Sequence, residues 1–425
     1  MILALYRLIG VLAWPVIRLY LARRRALGKE DPARFSERLG IPGLVRPPGP
    51  LVWLHGASVG EGLSLLALVE RLLAEHPGLH ALVTTGTVTS AKLMTDRLPA
   101  RAFHQYVPVD SPISVKPFLR HWQPDLVLWA ESELWPVLVS ETRKRATPMI
   151  LINGRMSPRS FRRWQKHPDL AARLLGCFSL CLVQAETDAE RFYKLGATTV
   201  RAAGNLKFAA APLPTDDHAR AALETEIGIR PRWLAASTHA GEEAIAARAH
   251  QTLKPKHPNL LTVIAPRHPA RAEAVMAELD GMGLVIARRS RGEAVTPETD
   301  IYLADTIGEM GTLYRLCDIA FLGKSLTGAG GQNPIEAARL KTAILTGPNL
   351  DNFEDVTRVL KRTGAVEIVN DERALAAALD TLLADKKTRT HRMEAGYTAV
   401  IREAHVLDRI MTEIEPHLAP LRRRP

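Results

Sequence analysis

From residue 50 onward, short apolar runs alternate with longer stretches in which apolar residues recur every three to four positions. The short β-rich runs predict buried strands, and the longer stretches predict helices. Alternation of this kind is typical of βα units around a parallel sheet. The predicted strands cover residues 51–54, 81–87, 125–130, 148–154, 179–185 and 200–206, and then 232–238, 260–266, 283–289, 300–306, 318–324 and 343–348.

The pattern is interrupted once, at the Pro- and Asp-rich segment APLPTDD (211–217), which predicts a linker. We therefore expect two α/β domains, 31–210 and 211–425, with helices in residues 371–418 closing the chain. Two such sheets facing each other would enclose a cleft. Because ligands of open α/β sheets bind beyond the carboxyl ends of the strands, we look for chemistry on the loops that follow strands.

The N-terminal segment, residues 1–30, is apolar and is bounded by basic residues. Its longest uncharged run, Leu8–Ile17, is shorter than the roughly 20 residues that a spanning helix needs. Arg7 and Arg18 return to nearly the same side of a helix, which favours a helix lying in the membrane interface, and Pro15 predicts a kink. A spanning helix and a core helix of a soluble domain are the alternatives.

The order of charges in this segment is opposite to that of a secretory signal, because the cluster Arg23–Arg25 follows the apolar run. The positive-inside rule then places this cluster and the rest of the chain on the cytoplasmic side.

Composition supports a globular protein: of 425 residues, 46% are hydrophobic and 24% are charged. The 56 Lys and Arg residues exceed the 45 Asp and Glu residues by 11, and most of this excess lies at the two chain ends. This distribution argues against a nucleic-acid interface, which needs a basic stripe on a folded face. Three cysteines exclude a disulfide scaffold, and we expect them to be buried thiols.

Three motifs follow strands of the first half. HGASVGE ends at Glu61, near a helix start, where a carboxylate either acts as a general base or caps the helix. ESELWP places Glu131 and Glu133 at a strand end, which suits acid–base or metal chemistry or a solvated loop. GNLKF places Lys207 after the last strand, either beside the expected cleft or in solvent.

Four motifs in the second half together indicate a nucleotide site. In STHAGEE, Ser237 or Thr238 is expected to cap a helix. APRHPAR places Arg267 and His268 after a strand, and arginine suits phosphate recognition. IGEMG opens a helix, and GKSLTGAGGQNPIEAA is a glycine-rich loop entering a helix whose N-terminus favours anions. In that helix, Glu336 could accept hydrogen bonds from a ribose. The chain lacks an Asp-x-Asp pair and a complete P-loop.

In their order and spacing, these motifs, with RFSERLG (34–40) and NGRMSPRSF (153–161), resemble the 3-deoxy-D-manno-octulosonic acid (Kdo) transferases of lipopolysaccharide assembly. The resemblance implies a glycosyltransferase B fold, with two Rossmann-like domains facing a cleft. It implies that the first domain binds the lipid A precursor and the second binds the donor CMP-Kdo. It also implies an inverting, metal-independent enzyme without a cofactor, at the cytoplasmic face of the bacterial inner membrane. In this fold the closing helices commonly return toward the N-terminal half, so Arg422–Arg424 are expected to share one membrane-facing side with Arg23–Arg25.

Carried over by position, Glu61 matches the proton acceptor of the family, and Glu131 and Lys207 match residues that stabilise the transition state. Gln332 departs from the family, which usually has histidine at this position. Glutamine donates and accepts hydrogen bonds but cannot carry charge. The expected contacts with CMP are Arg267, His268, Gly308, Glu309, Met310, Asn333, Pro334, Ile335 and Glu336.

Two other classes of protein are compatible with the residues. One is an enzyme of the same fold that uses a uridine nucleotide-sugar, either another glycosyltransferase or a sugar-nucleotide epimerase. The other is a membrane-tethered binding protein that has kept the fold and lost the chemistry. Retention of Glu61 and of the nucleotide motifs argues against the second.

Overall fold

The computed structural model describes residues 2–423, apart from residues 58, 132, 329 and 352 and the side chains of 59, 422 and 423. The expected position of Arg422–Arg424 therefore lies outside the described side chains. The chain forms two compact units, one of Met1–Ala210 with Glu403–Pro425 and the other of Ala211–Arg402.

The first unit is built on seven strands: β1 (Leu51–His55), β2 (His80–Thr85), β3 (Ala102–Tyr106), β4 (Leu126–Ala130), β5 (Met149–Gly154), β6 (Leu180–Val183) and β7 (Val200–Ala202). They pair in parallel in the order β3-β2-β1-β4-β5-β6-β7. The helices of this part of the chain are α1 (Ile2–Leu12), α2 (Trp14–Ala26), α3 (Phe35–Arg38), α4 (Val59–Glu75), α5 (Val88–Arg97), α6 (Pro112–Trp122), α7 (Pro136–Lys144), α8 (Pro158–Trp164), α9 (Pro168–Leu175) and α10 (Glu186–Lys194).

The second unit repeats this plan with β8 (Arg232–Thr238), β9 (Leu261–Pro266), β10 (Ile286–Arg288), β11 (Ile301–Leu303), β12 (Ile319–Leu322), β13 (Ala343–Thr346) and β14 (Val366–Ile368). Its parallel sheet has the order β10-β11-β9-β8-β12-β13-β14. The accompanying helices are α11 (Asp217–Ile227), α12 (Glu242–Leu253), α13 (Ala272–Leu279), α14 (Met310–Leu316), α15 (Pro334–Arg339), α16 (Glu354–Arg362), α17 (Glu372–Ala384) and α18 (Lys386–Ala404).

In each sheet the first strand of the unit lies in the interior. The chain adds strands on one side of it and then on the other side, so the strand order reverses once. In the first sheet the chain moves outward from β1 to β3 and then resumes on the other side of β1 with β4. In the second sheet the same reversal falls between β8 and β12. Ligands of open α/β sheets bind outside the carboxyl ends of the strands at this topological switch point.

Helices cover both faces of the first sheet, which explains why its central strands are continuous apolar runs. On β1, Leu51 and Trp53 pack into the cluster on one face, together with Trp122. Val52 and Leu54 pack into the cluster on the other face. The period of two along the strand thus divides its side chains between two cores.

The last helix, α19 (Val406–Leu418), corrects the predicted domain limits. Its residues Val406, Ile410 and Ile414 are buried in the cluster that contains Val52 of β1. Residues 403–425 therefore belong to the first unit, whereas we had assigned everything after residue 210 to the second domain. The amphipathic pattern of α19 predicts a buried face, but the pattern does not specify which sheet receives it.

The N-terminal segment forms two helices, α1 and α2, rather than one kinked helix. Within the described part of the chain, no single helix is long and apolar enough to cross a membrane, whereas α1 and α2 pass that test as a pair bent by 63°. Arg7 is paired with Glu141 of α7, and Arg18 lies on the other helix of the pair. The predicted single basic face through Arg7 and Arg18 is therefore wrong.

Candidate functional site

Glu61 lies at the switch point of the first sheet, in the first turn of α4, as its motif predicts. Its side chain is buried, and Oε2 accepts a hydrogen bond of 2.6 Å from the backbone N–H of Ala57. Gly56 allows this close approach, because a Cβ there would lie 3.1 Å from the Cβ of Glu61. A carboxylate at this place has the chemistry that a general base needs.

Glu131 follows the neighbouring strand β4 and has a left-handed backbone with φ of 58°. Such a conformation is uncommon outside glycine and is often found at functional sites. Its N–H donates to the carbonyl oxygen of Ile152 on β5, at 2.9 Å. Burial raises the pKa of Glu131, while the nearby cations Lys207 and Arg155 act in the opposite direction. The structure thus groups Glu131 with Lys207, and it adds Arg155, which sequence reasoning missed although NGRMSPRSF contains it.

A polar network fixes the 3₁₀ turn that carries Lys207. The side-chain oxygen of Asn153 accepts a 2.9 Å bond from the N–H of Leu206. Gln184 links the turn to β5, because its Nε2 donates to the carbonyl of Asn153 at 3.2 Å and its Oε1 accepts from Asn205 at 3.1 Å. The backbone around Lys207 is therefore held by side chains from three strand ends.

His55, the first residue of HGASVGE, links the two loops at this switch point. Its Nδ1 lies 2.9 Å from the hydroxyl of Thr84, and its ring centroid lies 4.3 Å from that of Trp129 and 5.5 Å from that of Trp135. Burial lowers the pKa of His55 to about 3, so the ring is neutral at physiological pH. Trp129 in turn donates from Nε1 to the carbonyl oxygen of Glu133, at 3.0 Å. Sequence reasoning missed this role, and the only signal was the position of His55 within the motif.

The predicted CMP contacts all lie at carboxyl ends of strands in the second sheet. Arg267 and His268 follow β9 and are exposed, and the ring of His268 lies 5.8 Å from that of His239. Gly308, Glu309 and Met310 follow β11, with a φ of 88° at Gly308. These positions agree with a surface that accepts a ligand through loops.

Two of the predicted CMP contacts, Glu309 and Glu336, have carboxylates that accept hydrogen bonds from other side chains of this unit. Glu309 accepts a 2.6 Å bond from Nε of Arg289 and a second bond from Thr306, and Arg289 lowers the pKa of Glu309. Glu336 accepts a 3.3 Å bond from the side-chain amide of Asn333. Asn333 also caps α15 by accepting from the N–H of Ile335, at 3.1 Å. The remaining predicted contacts of this loop, Pro334 and Ile335, are buried.

The prediction that Ser237 or Thr238 caps α12 is wrong. The N-cap residue is Gly241, and no side chain caps this helix. The hydroxyl of Thr238 instead donates to Oε1 of Glu243, at 2.9 Å. The motif therefore joins strand to helix through a buried acidic residue rather than through a hydroxyl cap.

Glu242 is a fully buried brace that sequence reasoning missed. Its carboxylate ties the STHAGEE loop to the glycine-rich loop after β12. Gly323 has to be glycine at this crossing, because a Cβ would lie 2.6 Å from the backbone oxygen of Ser237 and 2.8 Å from Oε2 of Glu242. The carboxylate accepts four backbone N–H groups, from His239 at 2.9 Å, Lys324 at 2.6 Å, Ser325 at 2.9 Å and Leu326 at 3.1 Å.

Neither metal ligation nor thiol chemistry is indicated in the described residues. Within them, no group of three or more His, Cys, Asp or Glu side chains is placed to hold a metal ion. Cys177, Cys181 and Cys317 are free and buried, as predicted. Burial raises the pKa of Cys181 and of Cys317 to about 12, so both are uncharged thiols.

Two units, each a parallel sheet with loops at a switch point, define the glycosyltransferase B fold. A crystal structure of UDP-GlcNAc 2-epimerase from Neisseria meningitidis bound to UDP-GlcNAc matches the fold with a TM-score of 0.57 and 14% identity, over 85% of this chain and 100% of that one. The family model described as 3-Deoxy-D-manno-octulosonic-acid transferase (kdotransferase) matches residues 33–210.

Curated relatives extend this family match over nearly the whole chain. The 3-deoxy-D-manno-octulosonic acid transferase of Rickettsia bellii is 32% identical over 97% of this chain and 99% of its own length. That of Bordetella pertussis is 34% identical over 95% of this chain and 96% of its own length. The chain belongs to the Kdo transferase family and is therefore a glycosyltransferase of lipopolysaccharide biosynthesis.

Proposed function

We propose that this enzyme transfers Kdo from CMP-Kdo to the lipid A precursor, at the cytoplasmic leaflet of the inner membrane. The observation that carries the proposal is the buried Glu61 carboxylate, held in the first turn of α4 at the switch point of the first sheet. Membership of the Kdo transferase family supports the choice of sugar.

In the proposed reaction, Glu61 removes the proton from an acceptor sugar hydroxyl. The hydroxyl oxygen forms a bond to the anomeric carbon of Kdo while the bond from that carbon to the phosphate oxygen of CMP breaks. The electron pair of the broken bond leaves with CMP. Because attack and departure occur on opposite faces, configuration inverts in one displacement, and neither a metal nor a cofactor takes part.

Glu131 and Lys207 would order the charged centre of this reaction. Burial opposes ionisation of Glu131 while Lys207 and Arg155 support it, so this carboxylate is sensitive to charge placed beside it. A preorganised group of this kind stabilises charge that develops in a transition state without a cost of reorganisation.

On the donor side, Arg267 would bind the phosphate of CMP, and the residues around Gly308 and Asn333 would bind the nucleoside. The carboxylate of Glu309 is engaged by Arg289, so we expect this loop to contribute backbone groups. Gln332 would offer a neutral hydrogen bond where the family usually has histidine.

The proposal is tested by incubating the purified protein with CMP-Kdo and a tetra-acylated lipid A precursor. Product mass should increase by whole Kdo units, and the increment counts the residues added. In parallel, CMP should raise the melting temperature while UDP and UDP-GlcNAc should not. Stabilisation by UDP alone would favour the uridine-nucleotide enzymes, and binding of CMP without any transfer would favour a binding protein that has lost its chemistry.

A further inference from the structure

A cavity of about 510 Å³ lies inside the first unit, between the helices α1 and α2 and the loop that follows β4. We propose that it is the subsite for an acyl chain of the acceptor lipid, an inference that rests on the proposed function. Its volume falls within the roughly 300–1,000 Å³ that is typical of ligand sites.

The walls of the cavity are mainly apolar and adjoin the catalytic edge of the sheet. Tyr6 of α1 and Ile17 and Leu21 of α2 form one side, and Leu134 and Trp135 form the other. The last two belong to the loop ESELWP that begins with Glu131. A chain bound here would therefore lie next to the loop that carries one of the proposed catalytic residues.

Two arginines give the cavity a positive region. Arg24 and Arg38 both line it, and both pair with the same buried carboxylate, that of Glu30, at 2.7 Å and 3.3 Å respectively. Two guanidinium groups share one carboxylate, so one positive charge is left over. Guanidinium groups bind phosphate well, and the proposed acceptor combines acyl chains with phosphate.

Asp110 is the acidic residue that lines the cavity, and its carboxylate is engaged by other groups. Asp110 accepts bonds from the N–H groups of Val137 at 3.1 Å and Leu138 at 2.7 Å, so it faces the positive end of α7. The hydroxyl of Tyr6 also bonds to Asp110, and burial raises the pKa of Asp110. Asp110 therefore holds Tyr6 and α7 in place.

The helices that form the wall are attached to the unit by specific contacts. Arg7 pairs with the buried Glu141 of α7, and the hydroxyl of Ser111 donates to the carbonyl oxygen of Gly10 at 2.9 Å. On their outer face the same helices expose large apolar side chains, with Val16 and Leu19 exposed by 68% and 72%. An exposed apolar surface of this kind marks a membrane or protein contact. Under the proposed function this surface would meet the bilayer, so the same two helices would face the membrane and line the cavity.

The test fills the cavity and compares the result with a matched substitution on the same helix. Ile17→Trp reduces the space for a chain, whereas Leu19→Trp adds the same side chain on the exposed face. We expect Ile17→Trp to raise the KM for the lipid acceptor about tenfold, as for the loss of roughly two buried methylene groups. In Ile17→Trp, the KM for CMP-Kdo and the binding to anionic vesicles should be unchanged, and in Leu19→Trp the KM for the lipid acceptor should stay at the parental value.

A second variant and a direct binding measurement complete the test. Ile17→Ala enlarges the cavity and should shift the preference towards longer acyl chains, with its melting temperature reporting that it folds. Native mass spectrometry should detect the lipid precursor bound to the parent and lost from Ile17→Trp, even if transfer itself were absent and the proposed function failed. Equal acceptor KM and equal lipid binding in Ile17→Trp and Leu19→Trp, or a parallel loss of vesicle binding, would overturn the proposal.

Discussion

The switch points of the two sheets each place a buried glutamate after the first strand of the unit, yet the two carboxylates are bonded differently. Glu61 bonds to Ala57 within its own strand–helix loop. Glu242 accepts four N–H groups and so ties two separate loops together. Position and burial alone therefore do not set the role of a carboxylate, because its bonding partners differ between the two switch points.

Replacing Glu61 with Gln should have the largest effect of the three substitutions, and it should lower the transfer rate rather than the stability of the fold. A glutamine cannot take a proton at neutral pH, so we expect the transfer rate to fall about 10²- to 10⁴-fold. The affinity for CMP, measured by calorimetry, and the melting temperature should stay near the parental values. Glu70→Gln, on the exposed side of the same helix, is the control. Near-parental transfer by Glu61→Gln would show that another group is the base.

Replacing Glu242 with Gln should have the next largest effect and act on stability rather than on the chemical step. The amide NH₂ would face N–H groups that need an acceptor, at a cost of about 2–5 kcal/mol in the free energy of unfolding. Affinity for CMP should fall with it, because the brace shapes the glycine-rich loop. Urea unfolding measures the loss, with the exposed Glu278→Gln as the control. If Glu242→Gln unfolded at the parental urea concentration, the role of Glu242 as a brace would be refuted.

Replacing Glu131 with Gln should have the smallest effect. Unlike Glu242→Gln, it should slightly stabilise the fold. Because burial raises its pKa, ionised Glu131 destabilises the fold once the pH exceeds its folded pKa, and the penalty disappears below the unfolded value of about 4.3. We expect Glu131→Gln to melt slightly above the parent at pH 8 and level with it at pH 4, while transfer falls about tenfold. A lower melting temperature at pH 8 would mean that Glu131 serves the fold rather than the reaction.

Sequence patterns located the central strands of both sheets, but they missed β3 and β14. Both are sheet edges, and part of each is incompletely buried: Ala102 and Phe103 in β3, and Glu367 and Ile368 in β14. An edge strand needs no continuous apolar run, since only one neighbour and part of one face exclude water from it. The other two edge strands, β7 and β10, were located by their pattern, so periodicity is a weaker guide at the margin of a sheet than in its centre.

The candidate site shows the same limit. Motif order placed Glu61 near a helix start and Glu131 and Lys207 after strands of the first sheet. The structure has Glu61 in the first turn of α4, Glu131 directly after β4 and Lys207 in the 3₁₀ turn after β7. The neutral His55 and the fully buried Glu242 were missed, because their roles depend on partners from other loops. Thr84, which bonds His55, comes from the next strand, and three of the amides that bond Glu242 come from about 80 residues further along the chain.

Local physics thus accounts for what the chain reveals without its fold: strand and helix periods, a helix break next to Pro15 and loops rich in small residues. These depend on neighbours within a few positions, which any window of sequence contains. Contacts between distant segments decided the rest, including the burial of α19 against the first sheet, the pairing of Arg7 with Glu141 and the bonds from the amides of residues 324–326 to Glu242. A buried face or a charged side chain could pair with several segments of the chain. Only the assembled tertiary structure brings one of them close enough to exclude water.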